Sequence, residues 1–597
     1  MTEPVIGTGE RPPLLAGRSR RAVGTLSLLV LALAWAALMQ QPGPNQNAHL
    51  ATVTALASGE STIDRYRNWT RDISYVDGHF YAAKAPGLDL LTLPWYVFLD
   101  RTGLLVEGSP ASVPWPRAES HMPLAAPWQV GLFGATLPGF LLLLLVRWVV
   151  ERFVPRYGTA AAITVGAGSI VGLLATMYFS HALSACLGFA AFAVLLRERR
   201  SGPDTRLVLA AGALAGLAVT VEFPVAIVGA ALGLYALARG PRTRRALVYA
   251  AGVLVGVLPL FAFNTWVFGS PFSLAYVNAV IEPGVTGHDV VGANSSGFFG
   301  VGVPNPYSAA KLLLSAKGVA VLTPVWVLAC AGLVTMWRRG WRAEAALVGG
   351  LTAAFLVYDA GYYLPFGGFN GGPRFLVPVF PFLALPLAAI MRQRPLTTLA
   401  LGLVSIVITS VSLVSGPLHV AEDTSQWFHR LRTGIDDQGF ITQTVLHRFG
   451  RDPDIEQALA VLAVIAVAVV LALLVTPRPP FRRTDLVTAV GGLLLWRIVF
   501  VGGPIMFRVD SAEGDWVGAG AATGLLVAGV LAIVLGARGN RAALVPAALL
   551  LPLVWPRAAS HTTIALGVVV VALAWLVVLA AREAAMGSAG TSVPSPP

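Results

Sequence analysis

Apolar runs of about 20 residues, the length that an α-helix needs to cross a bilayer, recur along this 597-residue chain and alternate with polar connections. A sliding window of about 19 residues predicts about sixteen membrane spans. The closely spaced pairs within 159–197 and 206–238 are also compatible with re-entrant bends. The predicted spans are residues 22–40, 128–150, 159–180, 182–197, 206–221, 223–238, 245–266, 318–336, 343–358, 375–391, 397–414, 457–476, 486–501, 518–536, 541–556 and 563–581.

Composition supports this class. The chain is 56% hydrophobic and only 12% charged, which excludes an ordinary soluble globular protein. In a soluble protein a net charge of +12 would suggest a nucleic-acid partner, but here the arginines lie in short connections between spans. We therefore predict no nucleic-acid partner. Cys186 and Cys330 lie in apolar runs and are interpreted as small core residues.

The arginines also predict which side of the membrane each connection occupies. Arg18, Arg20 and Arg21 precede the first span, so the positive-inside rule predicts a cytoplasmic tail over 1–21. We interpret the first span as an uncleaved anchor, because it is long for the apolar region of a signal peptide. Alternation of the spans then places every arginine-rich connection on the cytoplasmic side. The C-terminal residues 582–597 are predicted to be a disordered cytoplasmic tail.

Four long segments fall on the outer side under this topology. Loops of such length are usually functional. The first segment is polar, aromatic and charged, and helical spacing at 48–59 and 88–105 predicts short helices along the membrane surface. The four segments are residues 41–127, 267–317, 359–374 and 415–456.

An ordered series of motifs carries a family resemblance. The first span is followed by PNQNAHLA, a short helical stretch and GHFYAAKAPG, a pattern that resembles bacterial GT-C glycosyltransferases of the protein-mannosyltransferase and aminoarabinose-transferase type. The residues after 456 carry no such resemblance. Further matches, in the expected order, lie at 178–182, 221–224, 268–272, 315–324 and 371–375.

The resemblance implies an all-α, polytopic, GT-C-like membrane protein with extracytoplasmic loop helices. Residues 22–414 would form the catalytic module, 415–456 an extracytoplasmic loop, and 457–581 additional C-terminal helices. The implied activity is inverting transfer of a sugar from a polyprenyl-phosphate donor at the outer face of the bacterial cytoplasmic (inner) membrane. The implied partners are the polyprenyl-phosphate sugar, membrane lipid, and an envelope glycan, lipid or protein acceptor. No cofactor is expected, and no residue spacing indicates a required metal.

One departure from the family pattern concerns the catalytic base. Asn45 and Gln46 stand where the superfamily has an Asp-Glu pair, and an amide cannot act as a general base near neutral pH. Either the base has moved or the protein is not a transferase. The nearby Asp72 is favoured as a replacement, with Asp64 next; the alternative is that these are solvated acids balancing neighbouring arginines. Asn45 and Asn47 are candidates to bind sugar hydroxyls, although helix capping is the commoner role.

Two cations are candidates to hold the departing phosphate. Lys84 lies in the AKAPG turn, and Arg374 follows a run with four glycines at a span entrance. The alternative for Arg374 is interfacial snorkelling. The GHFYAAK motif adds His79 and Tyr81 as substrate-binding candidates.

Three further residues are candidates because of their predicted depth in the membrane. Glu222 lies between two apolar runs, where a carboxylate costs about 2.5–3.5 kcal/mol and is by default a functional-site hypothesis. His181 and Asp359 lie at span ends on the same side, and both are predicted to face the same outer cavity. A helix cap is the commoner role for such a histidine.

Two other functions stay open: a transporter or lipid flippase, and a catalytically inactive GT-C-like assembly protein. A transporter is expected to contain two similar halves with broken helices in corresponding positions, and the sequence shows no such repeat. A transferase instead requires Asp72, Lys84, Glu222 and Arg374 to converge on one outer cavity.

Overall fold

A computed structural model describes residues 17–106, 125–282, 285–286, 300–368, 371–418, 442–506, 516–550 and 562–589. These residues form an all-α membrane protein with two small antiparallel sheets. Parts of the four outer segments, including 107–124, 287–299 and 419–441, lie outside the described residues, as do most of the tails. The helices are α1 Gly17–Ala36, α2 Pro44–Ala57, α3 Gly87–Arg101, α4 Ala125–Gly131, α5 Leu137–Phe153, α6 Gly158–Ala167, α7 Ile170–Ala175, α8 Ser180–Ser201, α9 Thr205–Val221, α10 Ala226–Leu237, α11 Arg242–Phe268, α12 Pro306–Leu314, α13 Val319–Leu322, α14 Leu328–Arg338, α15 Arg342–Gly361, α16 Phe380–Gln393, α17 Pro395–Val414, α18 Ile455–Val475, α19 Arg483–Met506, α20 Trp516–Ala537, α21 Leu544–Leu550 and α22 Thr562–Ala589.

The described helices confirm a multi-pass membrane protein. Eight continuous helical stretches among the described residues, of which Ala125–Phe153 joins α4 to α5, are long and apolar enough to cross a membrane; one bent pair would make nine, and there are five shorter apolar helices. Every predicted span overlaps helical residues. The predicted number of sixteen is larger than the number that meets the length criterion and stays a prediction.

Two predicted spans are interrupted. Span 159–180 is broken between α6 and α7, where Ser169 Oγ accepts a hydrogen bond from the Val171 N–H at 3.2 Å and starts the second helix. Span 318–336 is not one straight helix: Pro306–Leu322 and Pro324–Arg338 meet at 106°. Proline lacks the N–H that continues a helix, which explains a break at Pro324. The helix also begins at Pro306, inside the segment predicted as an outer loop.

The arginine-rich connections meet at one end of the helix bundle. Arg245 forms a two-pronged pair with Glu198 at 2.6 and 2.9 Å, and Arg20 pairs with Glu151 at 3.2 Å. Arg200 donates to the Arg152 carbonyl oxygen at 3.0 Å. The alternation of arginines in the sequence therefore corresponds to one face of the folded bundle.

Helices α9 and α11 pack with their backbones in close contact. Glycines recur four residues apart on both helices, at Gly212 and Gly216 and at Gly252 and Gly256. A Cβ at any of the four would lie 2.2 Å from a carbonyl oxygen of the other helix. Such spacing lets membrane helices approach closely. The contact fixes the end of α9, where Thr220 Oγ1 donates to the Gly256 carbonyl oxygen at 3.1 Å.

The first outer segment folds against the opposite end of the bundle from the arginines. Helices α2 and α3 lie where two helices were predicted in it, and their position along the membrane surface stays a prediction. Between them, β2 (Ile73–Val76) and β3 (His79–Ala82) form a hairpin that periodicity did not predict, with Ile73 opposite Ala82. Its turn is Asp77-Gly78, with φ of 49° and 89°, the backbone that two-residue hairpin turns require. Strand β4 (Ala279–Glu282) pairs with β2 and, on its other side, with β5 (Val285–Thr286), so this segment joins the second outer segment in one sheet.

A second short pairing joins the first span to the last outer segment. Strand β1 (Leu38–Met39) pairs with β6 (Gln443–Thr444). Gln40 supports it by donating to the Leu413 carbonyl oxygen at 3.0 Å. The ends of α1 and α17 are thereby held together. The division of the chain into a catalytic module and C-terminal helices stays a prediction.

Candidate functional site

The hairpin brings a carboxylate and a cation together. Asp72 precedes β2 and Lys84 follows β3, so antiparallel pairing places them side by side, and their side chains form an ion pair. The Ala83 N–H donates to the Asp72 carbonyl oxygen at 3.0 Å. Thr70 Oγ1 accepts from the Asp72 N–H at 3.0 Å and donates to the Pro44 carbonyl oxygen at 2.6 Å. The start of α2 and the ion pair are therefore held as one unit.

Lys84 is the point where this unit meets the membrane helices. Its side chain is only 15% exposed. Burial lowers the pKa of Lys84 below its ordinary value, the Asp72 carboxylate opposes that change, and the nearby Arg374 cation reinforces it. Glu222 is also close enough to interact with the Lys84 charge. Asp72, Glu222 and Arg374 are thus all within electrostatic range of Lys84.

Glu222 and His181 are paired and buried at the ends of two membrane helices. Glu222 follows the last residue of α9, and His181 is the second residue of α8. Ser184, one turn further along α8, donates through Oγ to Glu222 Oε2 at 2.7 Å. His181 Nε2 is buried and has no hydrogen-bond partner among the described residues. The pair therefore leaves one buried polar atom without a partner among the described residues, and a ligand contact at His181 stays a prediction.

Arg374 lies between aromatic rings at the start of a short 3₁₀ helix, Arg374–Val379. Its guanidinium carbon is 5.2 Å from the ring centre of Phe375 and 5.6 Å from that of Phe179. The Nε atom is buried without a hydrogen-bond partner within the described part of the chain. Gly367 covers the side chain: a Cβ there would be 2.5 Å from Nε, and its φ of 80° also favours glycine. The head group therefore packs against aromatic rings, and the choice between a ligand contact and snorkelling stays a prediction.

Asp64, the second candidate base, is engaged within the hairpin unit. It accepts from the Phe80 N–H at 2.6 Å, from His79 Nδ1 at 2.7 Å and from Thr62 Oγ1 at 3.1 Å. Burial by itself raises the pKa of Asp64, but these hydrogen bonds outweigh burial and leave the pKa below its ordinary value. His79 is 55% exposed and contacts Asp64. The structure places both residues in support of the hairpin.

The asparagines do not cap α2, so the capping interpretation is wrong for them. Gly43 occupies the N-cap position, and its N–H donates to Gln46 Oε1 at 2.9 Å. Asn47 is fully buried, and neither of its side-chain polar atoms has a hydrogen-bond partner among the residues described. Asn45 Oδ1 is also buried without a partner. The first turn of α2 therefore holds unused polar atoms close to the Thr70–Asp72 contact.

The remaining two candidates are in different positions. Asp359 is fully buried near the end of α15, and both carboxylate oxygens lack hydrogen-bond partners within the described ranges. Tyr81 is buried, packs edge-to-face against Phe268 at 4.9 Å and lines a cleft that also contains Lys84. No three His, Cys, Asp or Glu side chains in the described ranges come together as metal ligands would. The expectation that no metal is required stays a prediction.

Sequence reasoning missed a second buried acid–histidine pair behind Lys84. His49 Nδ1 is 3.0 Å from Asp89 Oδ1, and both side chains are 1% exposed. Tyr178 donates to the same carboxylate oxygen at 3.4 Å and is itself 2.6 Å from Thr92 Oγ1. One signal was available: His49 follows Asn45 by four residues, so the two share a face of α2.

The comparisons with known proteins give similarity of structure alone. No family model matches the chain, and no curated protein matches it. It is similar to the crystal structure of ArnT from Cupriavidus metallidurans bound to undecaprenyl phosphate, at 15% identity and a TM-score of 0.41, over 97% of this chain and 82% of that one. It is also similar to the oligosaccharyltransferase AglB from Archaeoglobus fulgidus in complex with an inhibitory peptide and a dolichol-phosphate, at 16% identity and a TM-score of 0.39, over 85% and 59%.

Proposed function

We propose that this protein is a membrane glycosyltransferase that transfers a sugar from a polyprenyl-phosphate donor to an acceptor at the extracytoplasmic face. The observation that carries the proposal is the meeting of Asp72, Lys84, Glu222 and Arg374, which are spread over some three hundred residues of sequence. An anionic lipid head group suits this place, because two cations lie at the membrane end of a bundle whose helices face lipid.

Lys84 and Arg374 would hold the phosphate. Charge develops on the leaving phosphate oxygen as its bond to the anomeric carbon breaks, and fixed cations in a dry site stabilise that charge. Arg374 Nε, which has no hydrogen-bond partner among the described residues, would donate to the same oxygens. Glu222, held by His181 and Ser184, would limit the excess of positive charge and keep both neighbours in place.

Asp72 would accept the proton of the acceptor hydroxyl. Its carboxylate is paired with Lys84. A phosphate competes for the same ammonium group, so donor binding would draw Lys84 away and leave the carboxylate available to the acceptor. The acceptor oxygen then bonds to the anomeric carbon, the bond from that carbon to the phosphate oxygen breaks with its electron pair, and the configuration inverts. Asp64, with all its contacts inside the hairpin unit, is the second choice.

The site lies at the opposite end of α8 and α9 from the arginine cluster. By the positive-inside rule that end is extracytoplasmic. Single cysteines at the exposed positions Ser58 and Ser201, in a chain whose Cys186 and Cys330 are replaced by alanine, would test this. An impermeant thiol reagent added to intact cells should label Ser58→Cys alone. Labelling of Ser201→Cys alone would place the site in the cytoplasm.

The activity itself is tested by transfer from radiolabelled polyprenyl-phosphate sugars in membranes of cells with and without this protein. Wild-type membranes should transfer at least one sugar, and Lys84→Ala membranes should not. Lys311→Ala is the matched control, since it also removes one ammonium group, which lies 5.7 Å from the centre of the Tyr307 ring. Movement of a lipid or solute across the membrane without any transfer would instead identify a transporter or flippase. Absence of both would favour an inactive assembly protein.

A further inference from the structure

The backbone that leads into Arg374 rests on two interrupted spans. A Cβ at Gly372 would lie 2.9 Å from Ile170 Cγ2 and 3.2 Å from Leu322 Cδ1. Ile170 is the first residue of α7, just after the break between α6 and α7. Leu322 is the last residue of α13, just before the break at Pro324. The position of Arg374 therefore depends on how both breaks are held.

The second break leaves backbone groups that an unbroken helix would pair. In a continuous helix the Val325 N–H would donate to the Val321 carbonyl oxygen, four residues earlier. Here the Val325 N–H donates to Ser405 Oγ of α17 at 3.2 Å. The Val321 carbonyl oxygen accepts from Trp496 Nε1 of α19 at 2.9 Å. Hydrocarbon offers no water to replace such bonds, so neighbouring helices must supply them.

The first break is held in part by the second. Trp326, just after the second break, donates through Nε1 to the Gly168 carbonyl oxygen at 2.8 Å. Gly168 follows the last residue of α6, Ala167, whose carbonyl oxygen accepts from Thr409 Oγ1 of α17. The two breaks, with Gly372 resting on both, therefore form one unit whose free backbone groups are bonded by α17 and α19.

The C-terminal helices also cover the segment that precedes the second break. Ala320 and Val321 of α13 are buried in one apolar cluster with Leu525 of α20 and Val569 of α22. These helices carry none of the family motifs. They nevertheless pack directly on the segment that supports Arg374.

We infer that the C-terminal helices position Arg374 for the lipid phosphate and that Trp496 is the residue through which they act. The inference rests on the proposed function and assigns these helices to the same site. Trp496 is a positioning residue, because it holds the Val321 carbonyl oxygen at the end of α13. The next residue, Leu322, packs on Gly372, two positions before Arg374. Loss of the indole N–H would leave a buried carbonyl oxygen without its donor, which is costly, so the end of α13 would shift.

The test separates the positioning of Arg374 from general stability. Trp496→Phe removes the N–H and keeps an aromatic ring. Trp128→Phe is the matched control, because Trp128 Nε1 also donates to a backbone carbonyl oxygen, that of Ala36, at 2.9 Å, and joins α4 to α1 instead. Binding of a long-chain polyprenyl phosphate without a sugar is measured by titration of the purified full-length protein in detergent, alongside thermal stability and sugar transfer.

We expect Trp496→Phe to weaken binding of the lipid phosphate by about tenfold, within the range usual for residues that act on a ligand through others. Trp128→Phe should lose similar stability and leave this binding nearly unchanged. In an Arg374→Ala protein, Trp496→Phe should weaken binding by less than about twofold more, because the two residues act through one contact. Leu322→Ala removes the contact with Gly372 but keeps the Trp496 bond, and it should reproduce the loss of binding.

Wild-type binding by folded Trp496→Phe would overturn the inference, as would equal weakening by both tryptophan variants or additive losses in the double variant with Arg374→Ala. If Trp496→Phe does not fold, Leu322→Ala decides by the same criteria. A wild-type protein that neither binds the lipid phosphate nor transfers a sugar would refute the proposed function, and the inference with it.

Discussion

Replacement of Gly87 by alanine tests whether the contact between α3 and α9 sets the geometry of the site. Gly87 is the first residue of α3 and follows Lys84 by three positions. It packs on the end of α9, next to Glu222. A Cβ at this position would lie 2.5 Å from the Thr220 carbonyl oxygen and 2.7 Å from the Val221 nitrogen. Both are backbone atoms, so no side-chain rotation can relieve the contact.

The size of the effect follows from that distance. Lengthening 2.5 Å to the 3.0–3.4 Å of a tolerable contact moves the start of α3 away from α9 by about 0.5–0.9 Å. Overpacking of this kind usually destabilises a protein by about 1–3 kcal/mol. The same movement separates Lys84 from Glu222 and Arg374, and a misplacement of about 1 Å can reduce turnover by about 10²-fold. We therefore expect Gly87→Ala to lower kcat by about 10–100-fold.

The assay measures thermal stability in detergent and transfer per folded molecule. Gly350→Ala is the matched control, because Gly350 lies inside helix α15 with no heavy atom within 4 Å of an added Cβ. Alanine favours a helix over glycine by about 1 kcal/mol, so this variant should be fully active and at least as stable as the wild type. Wild-type turnover in folded Gly87→Ala would refute the reasoning. A loss of stability alone would show that α3 packs on α9 without positioning the catalytic groups.

Three further variants test individual residues. Asp72→Asn should reduce transfer by about 10²–10⁴-fold at normal protein abundance, because it removes the base. Asp77→Asn, in a turn that tolerates asparagine, should stay active. Near-normal transfer by Asp72→Asn would show that Asp72 is not the base. For Arg374, transfer should fall in the order Arg, Lys, Ala at constant abundance, since lysine restores the charge but not the planar fork; full activity of Arg374→Lys with low abundance of Arg374→Ala would indicate snorkelling. Asp64→Asn should lower the melting temperature at pH 7, and the difference from the wild type should shrink as the pH falls below 3.8. A carboxyl group whose pKa is lowered by folding stabilises the fold at pH values above its ordinary pKa, and this stabilisation is lost when the group is protonated. A difference in melting temperature that persists at acidic pH would contradict this.

Helix packing and the chemistry of the site are linked through small residues. Gly212, Gly216, Gly252 and Gly256 hold α9 against α11, and Glu222 extends from the end of α9. Gly367 covers Arg374 in the same manner. Glycines therefore position functional side chains by allowing close contacts with the backbone. Substitution of these glycines should affect turnover even where they are remote from the reacting groups.

Much of the architecture was determined by the sequence itself. Long apolar runs can be stable only as membrane helices, because hydrocarbon offers no hydrogen-bond partner to the backbone. The arginine-rich connections were predicted to share one side of the membrane, and those at Arg20, Arg200 and Arg245 lie at one end of the bundle. Local composition also indicated which segment carries the polar chemistry, since charged and aromatic residues are concentrated in 44–94. These conclusions need only properties of neighbouring residues.

The tertiary structure determined which candidate site residues lie next to one another. Asp72 and Lys84 meet because two strands pair across an Asp77-Gly78 turn, a hydrogen-bonding pattern that hydropathy does not encode. Asp64 and His79 turn toward each other instead. The buried pair of His49 and Asp89, forty residues apart, was not predicted because its partners come from two helices whose packing depends on shape. Apolar periodicity predicts which helices form, but contacts between distant segments determine where each polar side chain lies.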